Sequence, residues 1–168
     1  MAGMRVSVEE YLRTGYRPDC DYLDGNVVER NLGEFDHSSA QREILLYLVW
    51  NYPNLRERIL PEQRVQVNAR RFRIPDVCIL AAGAGCQKII TTAPELCIEV
   101  LSPEDTLTRT MERVGDYFAM GVPTCWIIDP VSREAWIATS GHLAEVTDGV
   151  LRAGDVAMPL AEVLEPPE

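Results

Sequence analysis

Lysine is almost missing from this chain. Lys88 is the single lysine among sixteen basic residues, so any chemistry that needs a lysine has one candidate. Positive charge in general is scarce, and the net charge is -10. That argues against a general polyanion binder, because phosphate binding needs Lys and Arg to displace counterions. Long apolar runs are absent too. None could span a bilayer, and Met1 to Glu10 carries nothing resembling a secretory signal. The expectation is a cytoplasmic protein with no membrane partner. Paired cysteine spacing is also lacking: Cys20, Cys78, Cys86, Cys97 and Cys125 are odd in number and form no CxxC. Cys78, Cys97 and Cys125 lie in apolar runs, where a free thiol packs as a small hydrophobe, so core packing is expected over zinc or a disulfide. Without repeats or long linkers, 168 residues suit a single domain over 1–168, with a core over about 8–153 and a frayed tail at Pro166 to Glu168.

What is present is patterned. Ser7 is placed to cap a short helix through Thr14. Asp21 to Arg30 reads as a hairpin turning at Asp24-Gly25. From His37 to Tyr52, Gln41, Ile44, Leu45, Leu48 and Tyr52 recur at helical spacing, and Pro53 ends the run. Gln63 to Asn68, Asp76 to Leu80, Leu96 to Leu101 and Cys125 to Asp129 read as strands, with Glu134 to Thr139 returning as a hairpin partner. Leu143 to Val146 and Val150 to Arg152 look like short peripheral strands. Ser102-Pro103-Glu104-Asp105 has the pattern of a capped helix start, predicting a helix to Met120 with Met111, Val114 and Phe118 inward and Gly121 closing it. Helices separated by buried strands imply a layered α/β core.

Two features carry chemistry. Arg56, Arg58, Arg64, Arg70, Arg71 and Arg73 face only Glu57 and Glu62 between Asn54 and Arg73. This stretch is either a solvated hairpin or a phosphate-contacting surface. Asp76 and Glu99 each sit within an apolar strand, where an ionised carboxylate is costly unless paired or bound to a cation. On neighbouring strands the two could converge on one Mg2+ or Mn2+, with a backbone carbonyl such as that of Val100 as a further ligand. Alternatively they pair with arginines such as Arg71 or Arg73.

The ordered series Asp21-Tyr22-Leu23-Asp24-Gly25, His37, Pro75-Asp76-Val77, Glu99-Val100-Leu101-Ser102-Pro103, Tyr117, Gly121-Val122-Pro123 and Trp126-Ile127-Ile128-Asp129-Pro130 resembles the Uma-type restriction-endonuclease family, within the PD-(D/E)XK nuclease superfamily. The likeness runs from Val8 to Trp136. It implies a restriction-endonuclease-like α/β fold: a central mixed sheet flanked by helices, with extra β-hairpins. It implies Asp76 and Glu99 as metal ligands, Asp21 as an assisting acid, and His37 as a substrate-contacting or ordering residue. His37 read by itself could equally cap the helix.

One position departs from the pattern. The superfamily lysine two residues after the glutamate is Leu101 here. The family's lysine four residues before the tyrosine falls on Arg113. Arginine retains the charge to stabilise a pentacovalent phosphate but cannot serve as a base at neutral pH. Lys88, between the two ligand strands, is a conceivable substitute. A bland alternative puts Arg109, Glu112, Arg113, Asp116 and Tyr117 on a solvated helix face.

Three functional readings follow. The first is a Mg2+- or Mn2+-dependent endonuclease on DNA, with Asp76, Glu99, Arg113 and Asp21 catalytic and His37, Arg64, Arg70, Arg71 and Arg73 contacting substrate. The second is a nuclease-fold binding or assembly module that has lost catalysis. The third is action on RNA or on branched or damaged nucleic acid. A homodimer is expected, with Trp126, Trp136 and the late hairpin as its surface.

Overall fold

The computed structural model of the chain describes residues 5–31 and 34–164. The tail expected at Pro166 to Glu168 lies outside them. Helix α1 (Val8–Arg13) begins as its sequence predicts, with the Ser7 hydroxyl accepting from Glu10 N at 3.1 Å. Strands β1 (Cys20–Leu23) and β2 (Asn26–Glu29) form the anticipated hairpin. Its turn places Asp24 at φ 51° and Gly25 at φ 102°, the left-handed pair that a two-residue hairpin turn requires. Helix α2 (Phe35–Asn51) buries Ala40, Ile44 and Leu48. A short 3-10 helix (Pro53–Arg58) follows it.

Strands β3 (Ile59–Pro61), β4 (Val65–Asn68), β5 (Arg71–Arg73), β6 (Val77–Ile79) and β7 (Leu96–Val100) come next. Helix α3 (Leu107–Met120) then leads to β8 (Thr124–Asp129) and β9 (Glu134–Thr139). The chain closes with β10 (His142–Glu145), β11 (Val150–Ala153), β12 (Val156–Pro159) and α4 (Ala161–Leu164). The last strand and helix were not legible in advance, being four residues each.

A six-stranded mixed sheet of order β10-β9-β8-β7-β6-β3 forms the centre. Only β7 and β8 run parallel, and α3 bridges them. A four-stranded antiparallel sheet, β2-β1-β5-β4, stands beside it, and β11-β12 is a separate hairpin. This is the α/β arrangement expected: a central mixed sheet flanked by helices, with extra hairpins.

Strand alternation sorts the core into two layers. Val77, Ile79, Leu96, Ile98, Val100, Trp126 and Ile128 pack with α2. Cys78, Leu80, Cys97, Cys125 and Ile127 pack with Val114 and Tyr117 of α3. Cys78, Cys97 and Cys125 are register partners across three strands, all buried free thiols. Burial pushes the Cys78 thiol up to about 12, so these groups act as core packing, as expected. Trp126 is fully buried, its Nε1 donating to Arg152 O at 3.2 Å, because it lies on the inward face of a central strand. It cannot belong to a subunit surface; Trp136 is partly buried against the α3 layer.

The start of α3 differs from its sequence signature. Ser102 to Asp105 forms a separate turn in which Ser102 N donates to Asp105 Oδ2 at 2.9 Å and Asp105 N donates to Ser102 O at 2.9 Å. The Asp105 half of the capping box thus closes a turn, with the Ser102 carbonyl in place of its hydroxyl, and Thr106 caps the helix instead. The inward face also shifts: Thr110, Val114, Asp116 and Tyr117 are buried, while Met111 and Phe118 are half-buried. Gly121 takes the left-handed closing position at φ 106°.

Candidate active site

Asp76 immediately precedes β6, and Glu99 is the fourth residue of β7. The strands are antiparallel, with Val77 opposite Ile98, so the register extends to set Asp76 beside Glu99. Both carboxylates are 2% exposed, too little for water to carry either charge. The structure supplies partners for each. Asp76 Oδ1 accepts from Arg30 Nη2 at 2.5 Å, and Oδ2 accepts from Val100 N at 2.8 Å. His37 Nε2 lies 3.4 Å from Asp76 Oδ2. Glu99 Oε1 accepts from the Tyr117 hydroxyl at 2.5 Å. Arg113 Nε stands 3.0 Å from Glu99 Oε2 without hydrogen-bond alignment, and its Nη2 donates to Asp105 Oδ1 at 3.0 Å.

The ion pairs of Asp76 and Glu99 therefore exist, but with Arg30 and Arg113 rather than Arg71 or Arg73. Arg113 does not lie on a solvated face, since its helix turns that side toward Glu99 and Asp105. The turn that displaces the helix start is what carries Asp105 to Arg113.

These charges divide the two carboxyls. Burial raises the Asp76 carboxyl, but His37, Arg30 and the Val100 amide outweigh it and hold it below its ordinary value. Burial raises Glu99 to about 7, with the Asp76 charge adding to the rise and Arg113 opposing it. Glu99 is thus the member of the pair that retains a proton near neutrality. Burial also works against a charged His37, but Asp76 more than compensates and raises it.

Arg30, Asn31, His37, Asp76, Glu99, Val100, Ser102, Asp105 and Arg113 line a cleft of about 20 Å³, room for one water or one ion. It adjoins a groove of about 220 Å³ that shares Arg30, Asn31, Asp105 and Arg113 and adds Asp21, Arg73 and Arg109. A larger cavity of about 500 Å³ lies at the other end of the strands, near Leu96 and Thr124, away from both carboxylates.

Asp21 lies in the groove wall rather than on the carboxylate pair. It accepts from Arg73 Nη1 at 2.8 Å, and burial outweighs that pairing to raise its carboxyl. Arg73 also donates through Nε to Asp116 Oδ2 at 2.7 Å and is only 3% exposed. The basic stretch is consequently not a free surface. Arg73 is internal; Arg71 pairs with Glu112 at 2.9 Å and with Asp116 at 3.3 Å; Arg64 pairs with Asp19 at 3.0 Å and lies over the Tyr11 ring. Arg70 keeps an exposed head, 3.9 Å from Asp24. Lys88 is exposed on its loop, outside the cleft lining.

Sequence reasoning missed Arg30 and Asp105. Arg30 directly follows a hairpin strand and has no periodicity to mark it. Asp105 carried a signal, but one that reads as capping.

The donor chemistry suits a hard divalent cation. Two carboxylates converge on a one-ion cleft, the Arg113 Nε beside Glu99 Oε2 is not aligned to donate to it, and His37 Nδ1 is buried without a partner among the described residues. Within those residues, no group of three or more His, Cys, Asp or Glu side chains is arranged as a metal cage. Any ion here would take most of its shell from water, backbone or substrate, as magnesium commonly does.

Among solved structures, the crystal structure of a putative nuclease belonging to DUF820 from Anabaena variabilis matches with a TM-score of 0.78 at 17% identity, over 95% of this chain and 97% of that one. At that identity the likeness is one of fold. No curated protein matches the chain. No helix among the described residues is long and apolar enough to cross a membrane. A family model described as "Putative restriction endonuclease" (Uma2) matches residues 8–163, nearly the whole described chain, and the chain belongs to that family.

Proposed function

We propose that this protein is a Mg2+- or Mn2+-dependent endonuclease that hydrolyses phosphodiester bonds of DNA in the cytoplasm. The observation that carries the reading is the Asp76–Glu99 pair, two buried carboxylates at facing strand positions over a one-ion cleft. In this reading Asp76 and Glu99 hold the cation, with the Val100 carbonyl as a third protein donor. A bound divalent cation supplies charge to offset the phosphate and makes a coordinated water more acidic.

The remaining roles belong to the chain. Arg113 keeps positive charge beside Glu99 and stabilises the charge that grows on the phosphate; it cannot take a proton from water. Tyr117 fixes the Glu99 carboxylate through its 2.5 Å bond. His37, next to Asp76 at the cleft, contacts substrate. Asp21 acts at one remove, holding Arg73 in the groove wall. Of the four arginines expected at the backbone, Arg70 has the freest head, and exposed Arg109 on the groove joins it. A homodimer, paired through the open edge at β10, completes the reading and is tested by sedimentation.

Calorimetric titration of Mn2+ into wild type and Asp76→Ala tests the site without a known substrate. Binding by wild type that vanishes in the variant is the expected result. It is to be followed by Mn2+-dependent cleavage of DNA that the variant lacks. One observation favours a second reading, a nuclease-fold binding module without catalysis: arginines already pair with both carboxylates. Absence of Mn2+ binding in folded wild type selects it.

A further inference from the structure

Arg30 differs from Arg73 and Arg113, the other arginines of this wall, in how few partners hold it. Arg73 is fixed between Asp21 and Asp116, and Arg113 reaches both Glu99 and Asp105. Among the described residues Arg30 has one close partner, Asp76 Oδ1 at 2.5 Å. Its other nitrogen lies 3.8 Å from Glu62, a residue with an exposed side chain and little hold on it. Arg30 also lines both the one-ion cleft and the adjoining groove. Its guanidinium can therefore leave Asp76 and remain within the same concavity.

Asp76 cannot do without a positive partner, because its side chain is 3% exposed. Its Oδ2 already accepts from Val100 N and faces His37, so the oxygen left for a divalent ion is Oδ1, where the Arg30 guanidinium now lies. A divalent ion on Asp76 and the guanidinium at its present position exclude one another. Displaced from Asp76, the planar guanidinium presents paired N–H donors that match a phosphate.

We propose that Arg30 is the exchangeable cation of the cleft. It neutralises Asp76 in the metal-free chain, and when a divalent cation takes that carboxylate it turns into the groove and binds a phosphate oxygen of the substrate. This rests on the metal reading above. It makes Arg30 a competitor of the metal and a partner of the phosphate. Its loss therefore moves the two affinities in opposite directions, whereas loss of a merely structural residue weakens both.

The test uses calorimetric Mn2+ titration of wild type, Arg30→Gln, Arg30→Lys and Asp76→Asn, with folding checked by thermal denaturation. Anisotropy at saturating Mn2+ then reads affinity for a phosphorothioate DNA duplex. Arg30→Gln is expected to bind Mn2+ about tenfold more tightly and the duplex about tenfold more weakly, each a modest free-energy change. Arg30→Lys, with a compact ammonium in place of the fork, is expected to shift both in the same directions by less. Unchanged or weaker Mn2+ affinity in Arg30→Gln, with wild-type binding intact, overturns the exchange and leaves the metal site standing. No Mn2+ binding by wild type and both Arg30 variants overturns the exchange together with the metal reading. If Arg30→Gln does not fold without metal, Arg30→Lys decides, and Mn2+ affinity equal to wild type overturns the exchange.

Discussion

Two clusters of buried acids and arginines lie within one wall of this molecule, and they are built for different ends. In the first, Arg73 is held between Asp21 and Asp116, with its side chain 4% exposed. In the second, Asp76 and Glu99 meet Arg30 and Arg113, whose side chains are 19% and 18% exposed, at the mouth of a cleft. The first holds Arg73 inside, between two anions, with Arg71 closing over Asp116 at 3.3 Å. The second has its cations on the solvent side, where they can be replaced. Burial with a partner is thus poor evidence for a working site. What separates the clusters is whether the counter-charge has somewhere else to go.

Removing the counter-charge from the closed cluster should have the largest effect. Arg73→Gln leaves Asp21 buried without its paired cation and Asp116 with Arg71 alone, and a cost of about 3–5 kcal/mol is expected. Urea denaturation measures it. The Mn2+ affinity of whatever protein folds should match wild type. A change there would mean the clusters are coupled and the division is false.

The open cluster should lose chemistry before stability. Asp76→Asn keeps the shape of the side chain and an oxygen for the Val100 amide, while Arg30 can relax toward solvent. Cleavage of DNA in Mn2+ is expected to fall on the order of 10³-fold, equivalent to several kcal/mol of charge stabilisation. The stability loss should be smaller than that of Arg73→Gln. A loss of equal size would make Asp76 another structural anion.

The two clusters were unequally visible in the sequence. Asp76 and Glu99 stood out because each interrupts an apolar strand, and a charge in such a place needs a reason. The strands around them were legible as short continuous apolar runs, the mark of strands buried on both faces. Arg30 was hidden because the contact that defines it spans 46 residues and follows from how the two sheets meet. Arg73 was misplaced for the converse reason. Its neighbours suggested a basic surface, but strand pairing put it inward against α3. The start of α3 failed locally: Asp105 makes its capping contact to Ser102 N in a turn, and the pattern does not say which structure will use it.

Proton binding sharpens the contrast further. Asp21 and Glu99 are both raised, chiefly by burial. A carboxyl raised in the folded chain stabilises it fully below the ordinary carboxylate range, and that contribution is lost as pH rises through the folded value. For Glu99 that value is about 7. Metal-free protein should therefore lose stability as pH climbs from about 4.5 to about 7, and Asp21→Asn and Glu99→Gln should each flatten part of the slope. Mn2+ should suppress only the Glu99 part. Suppression of the Asp21 part as well would place Asp21 on the metal.

The smallest expected effects come from the arginines in neither cluster. Arg70 and Arg109 are exposed, so replacing either with Gln should change stability by less than about 0.5 kcal/mol. If they contact the DNA backbone, each replacement weakens binding alike across sequences and lowers the salt slope of binding by about 1. Arg73→Gln should leave that slope unchanged, because its guanidinium neutralises Asp21 and Asp116 and displaces no counterion from DNA. Equal slopes for all three variants would place substrate contact away from this wall. A lowered slope for Arg73→Gln alone would mean that the closed cluster opens when DNA arrives, and the difference between the two clusters would then describe only the free protein.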